Sequence, residues 1–297
     1  MRGFKIKKVL SPFYSVLAIG FLTTGCASTA DLLVSHTVPY ATQISACEPG
    51  ESHVSPIVGG ETVTRDDPDS RLVVEIRIRR GAKDSVCTGS LLNDWLVLTA
   101  AHCVMGDALD VYAQFVTKEG CPFRHYRRHQ IAVDELTMHP EFNGDPRAFK
   151  DLAILKLKNK APEDQRRLVL SSGTTTAASG DVLLLGFGVT GEEKKDSMTL
   201  RRVRKKPEEI SEKRGIFLVD QKTRMSGFCR GDSGAPLITF VDDIPYIMGV
   251  NSANIGSGTE KRDECHTLSV AMDVRSFGRW IQTTMEELTP RPSLFSW

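Results

Sequence analysis

The chain is short of the features that mark nucleic-acid-binding, membrane-spanning or metal-dependent proteins. Lys and Arg number 38 against 37 Asp and Glu, a formal net charge of +1. No excess of positive charge is available to bind a polyphosphate backbone, so no nucleic-acid partner is expected. None of the seven cysteines is spaced C-x-x-C, which removes the usual structural-zinc signature, and no metal or other cofactor is expected. There is no internal repeat of solenoid period and no low-complexity tract. A Gly-x-Ser-x-Gly elbow is absent too, which disfavours an esterase of the α/β-hydrolase kind. What remains is ordinary for a soluble globular protein: 40 % apolar and 25 % charged residues over 297 positions, enough for one large or two small domains with a real core.

The first 25 residues stand apart. Arg2, Lys5, Lys7 and Lys8 form a basic start, followed by a mostly apolar run through Val16–Leu22. That is the layout of a secretory signal, too short and interrupted for a membrane span. The stretch Leu22-Thr23-Thr24-Gly25-Cys26-Ala27-Ser28 resembles the lipobox of bacterial lipoproteins, with Thr23 where leucine is more usual. The resemblance implies acylation of Cys26, attachment to a membrane, and export to a bacterial envelope or beyond. Removing residues 1–25 deletes four positive charges and takes the net charge from +1 to −3. With Cys26 set aside, six cysteines remain, at 47, 87, 103, 121, 229 and 265, enough for three disulfides in an oxidising compartment.

Residues 26–56 are polar and weakly patterned, with Pro39, Pro49, Gly50 and Pro56, and read as a leader or propeptide. Strand signals follow. Arg71–Arg79 partly alternates apolar and charged residues before a turn at Gly81, and Thr88–Leu92 leads through Asn93-Asp94 into Trp95–Leu98. Leu152–Leu157 and Asp181–Gly188 read as further strands, and Leu237–Val241 as another. The spacing of Phe277, Trp280, Ile281, Met285 and Leu288 predicts a helix over Val274 to Leu288. The basic runs Arg124–His129 and Arg201–Lys206 read as a solvated loop and a solvated strand face. His139 and Asp145 are taken as structural.

The chemistry gathers around Cys229-Arg230-Gly231-Asp232-Ser233-Gly234-Ala235-Pro236-Leu237. Gly-Asp-Ser-Gly is good turn chemistry by itself. Glycine on both sides also lets the backbone bend sharply and approach a ligand, presenting the Ser233 hydroxyl and nearby N–H groups to one carbonyl. A serine hydroxyl is a weak nucleophile without a base, and Thr99-Ala100-Ala101-His102-Cys103 offers one, with Asp151 at the head of a buried strand.

These segments, with Ile57-Val58-Gly59-Gly60, resemble the trypsin-like serine proteases of the chymotrypsin fold over about residues 57–288. The match is most extended from Cys87 to Cys103. The resemblance implies an all-β fold of two antiparallel six-stranded β-barrels with a C-terminal helix, the first over 57–165 and the second, with the helix, over 166–288, then a tail at 289–297. It implies a catalytic triad of His102, Asp151 and Ser233, and an oxyanion hole from the N–H groups of Gly231 and Ser233. It implies activation by cleavage before Ile57, whose new ammonium pairs with Asp232. It also implies disulfides Cys87–Cys103 and Cys229–Cys265, leaving Cys47 and Cys121 as a third pair, although connectivity is not fixed by sequence.

Departures bear on specificity. Gly227 stands where trypsin carries an aspartate at the pocket floor, and Ser252, Asn254 and Ser269 fall at pocket-wall positions, the latter two often glycine in open pockets. A shallow or partly closed pocket for small or medium uncharged side chains is expected. Pro56 precedes the cleavage point, a poor site for a trypsin-like activator, so the activating protease is unidentified. Ala235 replaces a glycine common in the family, and no cysteine lies between 122 and 228 for a disulfide often found upstream of the serine. The expected function is a secreted serine endopeptidase made as a zymogen, a monomer acting on protein or peptide substrates. The alternative is a protease-like binding module without catalysis.

Overall fold

A computed structural model describes residues 58, 60–64, 66–106, 109–115, 129–172, 181–191, 193–207, 209–211, 215–222, 226–255 and 264–290. The signal and leader, Cys26, Cys47, Ile57 and Cys121 lie outside the described residues.

After the short β1 (Glu61–Thr62), six strands build the first half: β2 (Val74–Arg80), β3 (Lys83–Leu91), β4 (Leu96–Thr99), β5 (Leu109–Phe115), β6 (His129–Met138) and β7 (Ala153–Leu157). They close into a barrel in the order β2-β3-β4-β7-β6-β5, with every ladder antiparallel. The predicted turn is a two-residue connection between Arg80 and Lys83, and Gly81 takes the positive φ of 59° it requires. The alternation of β2 puts Val74, Ile76 and Ile78 into the barrel interior with Val97, Phe115 and Leu155.

The second half comprises β8 (Val169–Leu170), β9 (Val182–Gly186), β10 (Arg201–Lys205), β11 (Glu209–Ser211), β12 (Ile216–Asp220), β13 (Pro236–Val241), β14 (Ile244–Ile255) and β15 (Leu268–Asp273). Six of these strands run as one antiparallel path, β10-β9-β13-β14-β15-β12, and the short β1 and β11 extend its two ends. The pair β8–β14 is parallel. Although β1 precedes the first barrel in the chain, it pairs with β10 and so belongs to the second sheet. The ends of the six-strand path meet through Lys205 of β10, whose Nζ donates to the carbonyl of Asp220 in β12 at 3.1 Å.

Strands β4 and β9 are buried at every position because both faces are covered. In β4, Val97 faces the barrel interior while Leu96 and Leu98 join Leu183, Leu185, Ile238 and Ile247 in a core between the halves. In β9, Leu184 turns instead to the second interior, against Phe217, Leu237 and Met248. Period-two alternation thus sorts one continuous apolar run between two cores.

The predicted helix, α1 (Val274–Leu288), is capped by Asp273, which accepts from Arg275 N at 3.0 Å. It buries Val274, Phe277, Ile281, Thr284 and Leu288, one stripe at three- and four-residue spacing. His139 packs edge-on against Phe277 and Trp280, with centroids 5.3 and 4.9 Å away, and so ties the first half to the helix. Asp145 is structural as read, accepting from Arg147 N at 2.9 Å to cap the turn at Pro146–Ala148. The solvated-face reading of 201–206 needs correction. Arg201 and Lys205 share the inward face of β10 and are buried at 3 % and 6 % exposure. Outward-facing Arg202 is bound by Asp67 and Asp69 at 2.7 and 2.8 Å.

Candidate active site

His102 lies in a single helical turn, Ala101–Cys103, directly after β4. Ala100 and Ala101 are fully buried, and their small side chains let this turn sit against the body. The disulfide Cys87–Cys103 joins the turn to β3. Asp151 lies two residues before β7, which pairs with β4, and this register brings acid and imidazole together across 49 residues. Asp151 is wholly buried and receives three donors. His102 N reaches one carboxylate oxygen at 2.8 Å; His102 Nδ1 and Ser252 Oγ reach the other at 2.6 and 2.5 Å. A carboxylate only accepts, so the Nδ1 that faces it carries a proton, and in the neutral ring Nε2 is then the nitrogen with the lone pair.

Ser233 comes from the second half, in the loop before β13. Its carbonyl accepts from Thr88 N of β3 at 2.8 Å, and the Thr88 hydroxyl donates to Gly231 O at 3.1 Å. Cys103 Sγ lies 3.9 Å from His102 Nε2 and 3.8 Å from Ser233 O, which places the serine segment beside the imidazole. Gly231 and Gly234 have φ of 100° and 82°. A Cβ on Gly234 would lie 2.1 Å from Thr99 Oγ1 and 2.3 Å from Thr88 O, so the tight turn admits no side chain there. Among the described residues, the N–H groups of Gly231 and Ser233 have no protein acceptor. They form a pair of free backbone donors flanking Asp232.

The Asp232 side chain turns inward and is fully buried. Gly188 N and Cys229 N donate to its two oxygens at 2.7 and 2.9 Å. Burial pushes its carboxyl up to about 7, against the pull of these N–H groups and the charge of Arg201. Val58 is buried and paired with Gly227, whose N–H donates to Val58 O at 3.0 Å.

The expected pocket residues divide. Gly227 lies against the buried carboxamide of Gln221, and a Cβ there would sit 2.1 Å from Gln221 Oε1. Gln221 is itself held by Phe228 N, by Phe228 O at 3.1 Å and by Cys265 O at 3.3 Å. Asn254 Nδ2 donates to Phe228 O at 3.1 Å, linking β14 to the segment before Ser233, while Asn254 Oδ1 is buried without a partner among the described residues. Ser252 turns its hydroxyl to Asp151 Oδ2 at 2.5 Å. Ser269 turns its own to Asn251 Oδ1 at 2.6 Å, and Asn251 Nδ2 donates to Asp232 O at 2.9 Å. The disulfide Cys229–Cys265 closes this region. Among the described residues, the side chains spaced for a metal are Cys87, His102 and Cys103, but the two sulfurs are already joined to each other.

Thr88, Gln221, Asn251 and Arg201 support the site but carry no sequence signal of doing so. They act through contacts between segments far apart in the chain. Thr88, inside the segment from Cys87 to Cys103, and Asn251, directly before Ser252, lay close to recognised stretches.

Comparison with known proteins agrees with this architecture. The family model described as Trypsin matches residues 57–281. Mouse granzyme B(G,H) is 28 % identical over 246 residues, covering 77 % of this chain and 91 % of that protein. Phenoloxidase-activating factor 3 of Holotrichia diomphalia is 25 % identical over 234 residues, 69 % of this chain and 66 % of that one. With the family match spanning most of the chain and a closed barrel joined to a second sheet and a C-terminal helix, the chain belongs to the trypsin family of serine proteases.

Proposed function

We propose that the chain is an exported serine endopeptidase that hydrolyses peptide bonds through an acyl-enzyme. The observation that carries this reading is the three-donor hold on Asp151, which fixes the His102 tautomer beside the Ser233 segment. In this mechanism Ser233 Oγ attacks the substrate carbonyl carbon and His102 Nε2 takes its proton. The N–H groups of Gly231 and Ser233 stabilise the oxyanion, each such donor contributing about 3–4 kcal/mol in a comparable enzyme. His102 then protonates the leaving amine, and water, activated by the same base, releases the acid. Asp151 orients the ring and stabilises its charged form.

Residues 1–25 act as the signal, 26–56 as a leader, 57–288 as the protease unit and 289–297 as a tail. The leader is cut before Ile57 and the freed ammonium enters beside Asp232. In a bacterial envelope Cys26 carries the lipid anchor, and Cys47–Cys121 holds the leader to the body. The two described disulfides fit an oxidising compartment. Specificity is for small or medium uncharged residues, because Gln221 backs Gly227 and Asn254 reaches across to Phe228 O.

The test is a fluorophosphonate probe with a peptide-substrate panel on the chain cut before Ile57. The expected result is labelling lost in Ser233→Ala and cleavage after small or medium uncharged residues. Dominant cleavage after Arg overturns the pocket assignment. A folded, cut chain that takes no label overturns the endopeptidase reading in favour of a binding module.

A further inference from the structure

We propose that Arg201 is a resident counter-charge for Asp232, a positioning residue that keeps the Ser233 loop in working order before cleavage, so that the uncut chain is already hydrolytically active. The proposal rests on the serine-endopeptidase reading and adds how that activity is controlled.

A buried guanidinium is unfavourable unless its donors are used and its charge is compensated. Arg201 is 3 % exposed at the start of β10. Its Nη1 donates to Gly188 O at 2.7 Å, and its Nη2 donates to Asp196 O and Oδ2 at 2.9 and 3.1 Å. Asp196 also accepts from the hydroxyl and N–H of Thr190 at 2.7 and 3.1 Å, which closes the loop between β9 and β10 into a buckle. Arg201 Nε remains buried without an acceptor among the described residues. This cation is therefore only partly satisfied by its own loop. The two acids that act on it are Asp196 and Asp232.

Gly188 joins the two charges. Its carbonyl accepts from Arg201, and its N–H donates to Asp232 Oδ1 at 2.7 Å. A Cβ on Gly188 would lie 2.5 Å from the Asp232 carboxylate, so this backbone packs directly on the acid. Among the described residues, the other donor to Asp232 is the neutral Cys229 N, and Arg201 is the charge that acts on it. Holding Asp232 inward fixes the flanking N–H groups of Gly231 and Ser233. The segment behind Ile57 is meanwhile already seated, with Val58 paired to Gly227. Pro56 makes the preceding bond a poor site for a trypsin-like activator. An internal cation removes the strict need for the cut, which then raises an existing activity rather than creating it.

The test compares two forms of the exported chain. One is uncut, verified by intact mass; the other carries a specific processing site in place of residues 52–56 and is cut to free Ile57. Wild-type uncut chain is expected to react with a fluorophosphonate probe at a measurable fraction of the cut rate. Arg201→Gln should lower the uncut rate by about tenfold or more and the cut rate much less, because the Ile57 ammonium then supplies the charge. Arg201→Lys should restore much of the uncut rate. An unlabelled uncut wild type beside a labelled cut form overturns the proposal, as does equal loss in both forms. If neither form labels, the endopeptidase reading fails on its own. The charge pairing is then judged by melting temperatures of uncut Arg201→Gln, Asp232→Asn and the double variant. Non-additive shifts support the pairing and additive ones overturn it.

Discussion

Two carboxylates are fully buried at the junction of the halves, and they are stabilised in different ways. Asp151, at the edge of the first barrel, takes donors from a histidine ring, a serine hydroxyl and a backbone N–H. Asp232, in the second sheet, takes two backbone N–H groups and feels Arg201 through the Gly188 backbone. The first arrangement is complete as it stands, with a proton placed on the ring nitrogen that faces the acid. The second has no direct ion pair among the described residues, and burial keeps its carboxyl raised to about 7. One acid is built to hold still and the other to respond. In the proposed function, that difference separates the chemistry of bond cleavage from its control.

The sharpest way to break the contrast is Asp151→Asn. The amide keeps the size of the side chain but offers an N–H where the ring nitrogen needs an acceptor, favouring the wrong tautomer. Peptide hydrolysis is expected to fall about 10⁴-fold in kcat with the fold intact, as for this change in the general triad. Steady-state kinetics together with circular dichroism check it. A loss under tenfold would mean that Asp151 does not govern the tautomer.

A smaller effect distinguishes Asp232 by pH. Its folded carboxyl titrates near 7, above the ordinary 3.8 of an unfolded aspartate. Between those values the folded chain binds the extra proton, so stability from this group is present below 3.8 and is lost as pH rises toward 7. Melting temperatures of the uncut chain, with Asp232→Asn as reference, should show a wild-type disadvantage growing across that window. In the cut form the Ile57 ammonium should shrink it. A wild type that gains on the variant as pH rises would reverse the assignment.

How far these roles were legible in the sequence follows the same division. His102, Asp151 and Ser233 each sit in a short contiguous motif, so their segments announce themselves. The strands and α1 were legible from periodicity, since each buries one stripe or alternates between two cores. The partners that complete the site were not. Ser252 meets Asp151 across 101 residues, a contact its position in the sequence does not suggest. Arg201 illustrates the reason most clearly. Charge in a strand ordinarily signals solvent, yet alternation alone places Arg201, Val203 and Lys205 on one face. Which face turns inward depends on carbonyls and acids supplied by Gly188, Asp196 and Asp220, residues no local pattern connects to it.

The smallest expected effect has the opposite pH sign and lies outside the site, at the contact between the first half and α1. His139 Nδ1 accepts from Glu141 N at 3.2 Å, and the ring packs edge-on against Phe277 and Trp280. Burial lowers its pKa below the ordinary 6.5, with Lys150 adding to the shift and Glu141 opposing it. The unfolded chain therefore takes up the proton first on acidification. Stability from the neutral ring is present above 6.5 and is lost as pH falls through the folded value. Protonation would place a donor where Glu141 N needs an acceptor and would add a charge to a partly desolvated ring. Replacing His139 with Phe should keep the aromatic packing and remove this acid-side loss while leaving the Asp232 window unchanged. Because His139 and Asp232 act with opposite signs, the two single variants and the double variant separate them in one pH series. An unchanged acid limb in His139→Phe would show that the contact with α1 does not sense the proton.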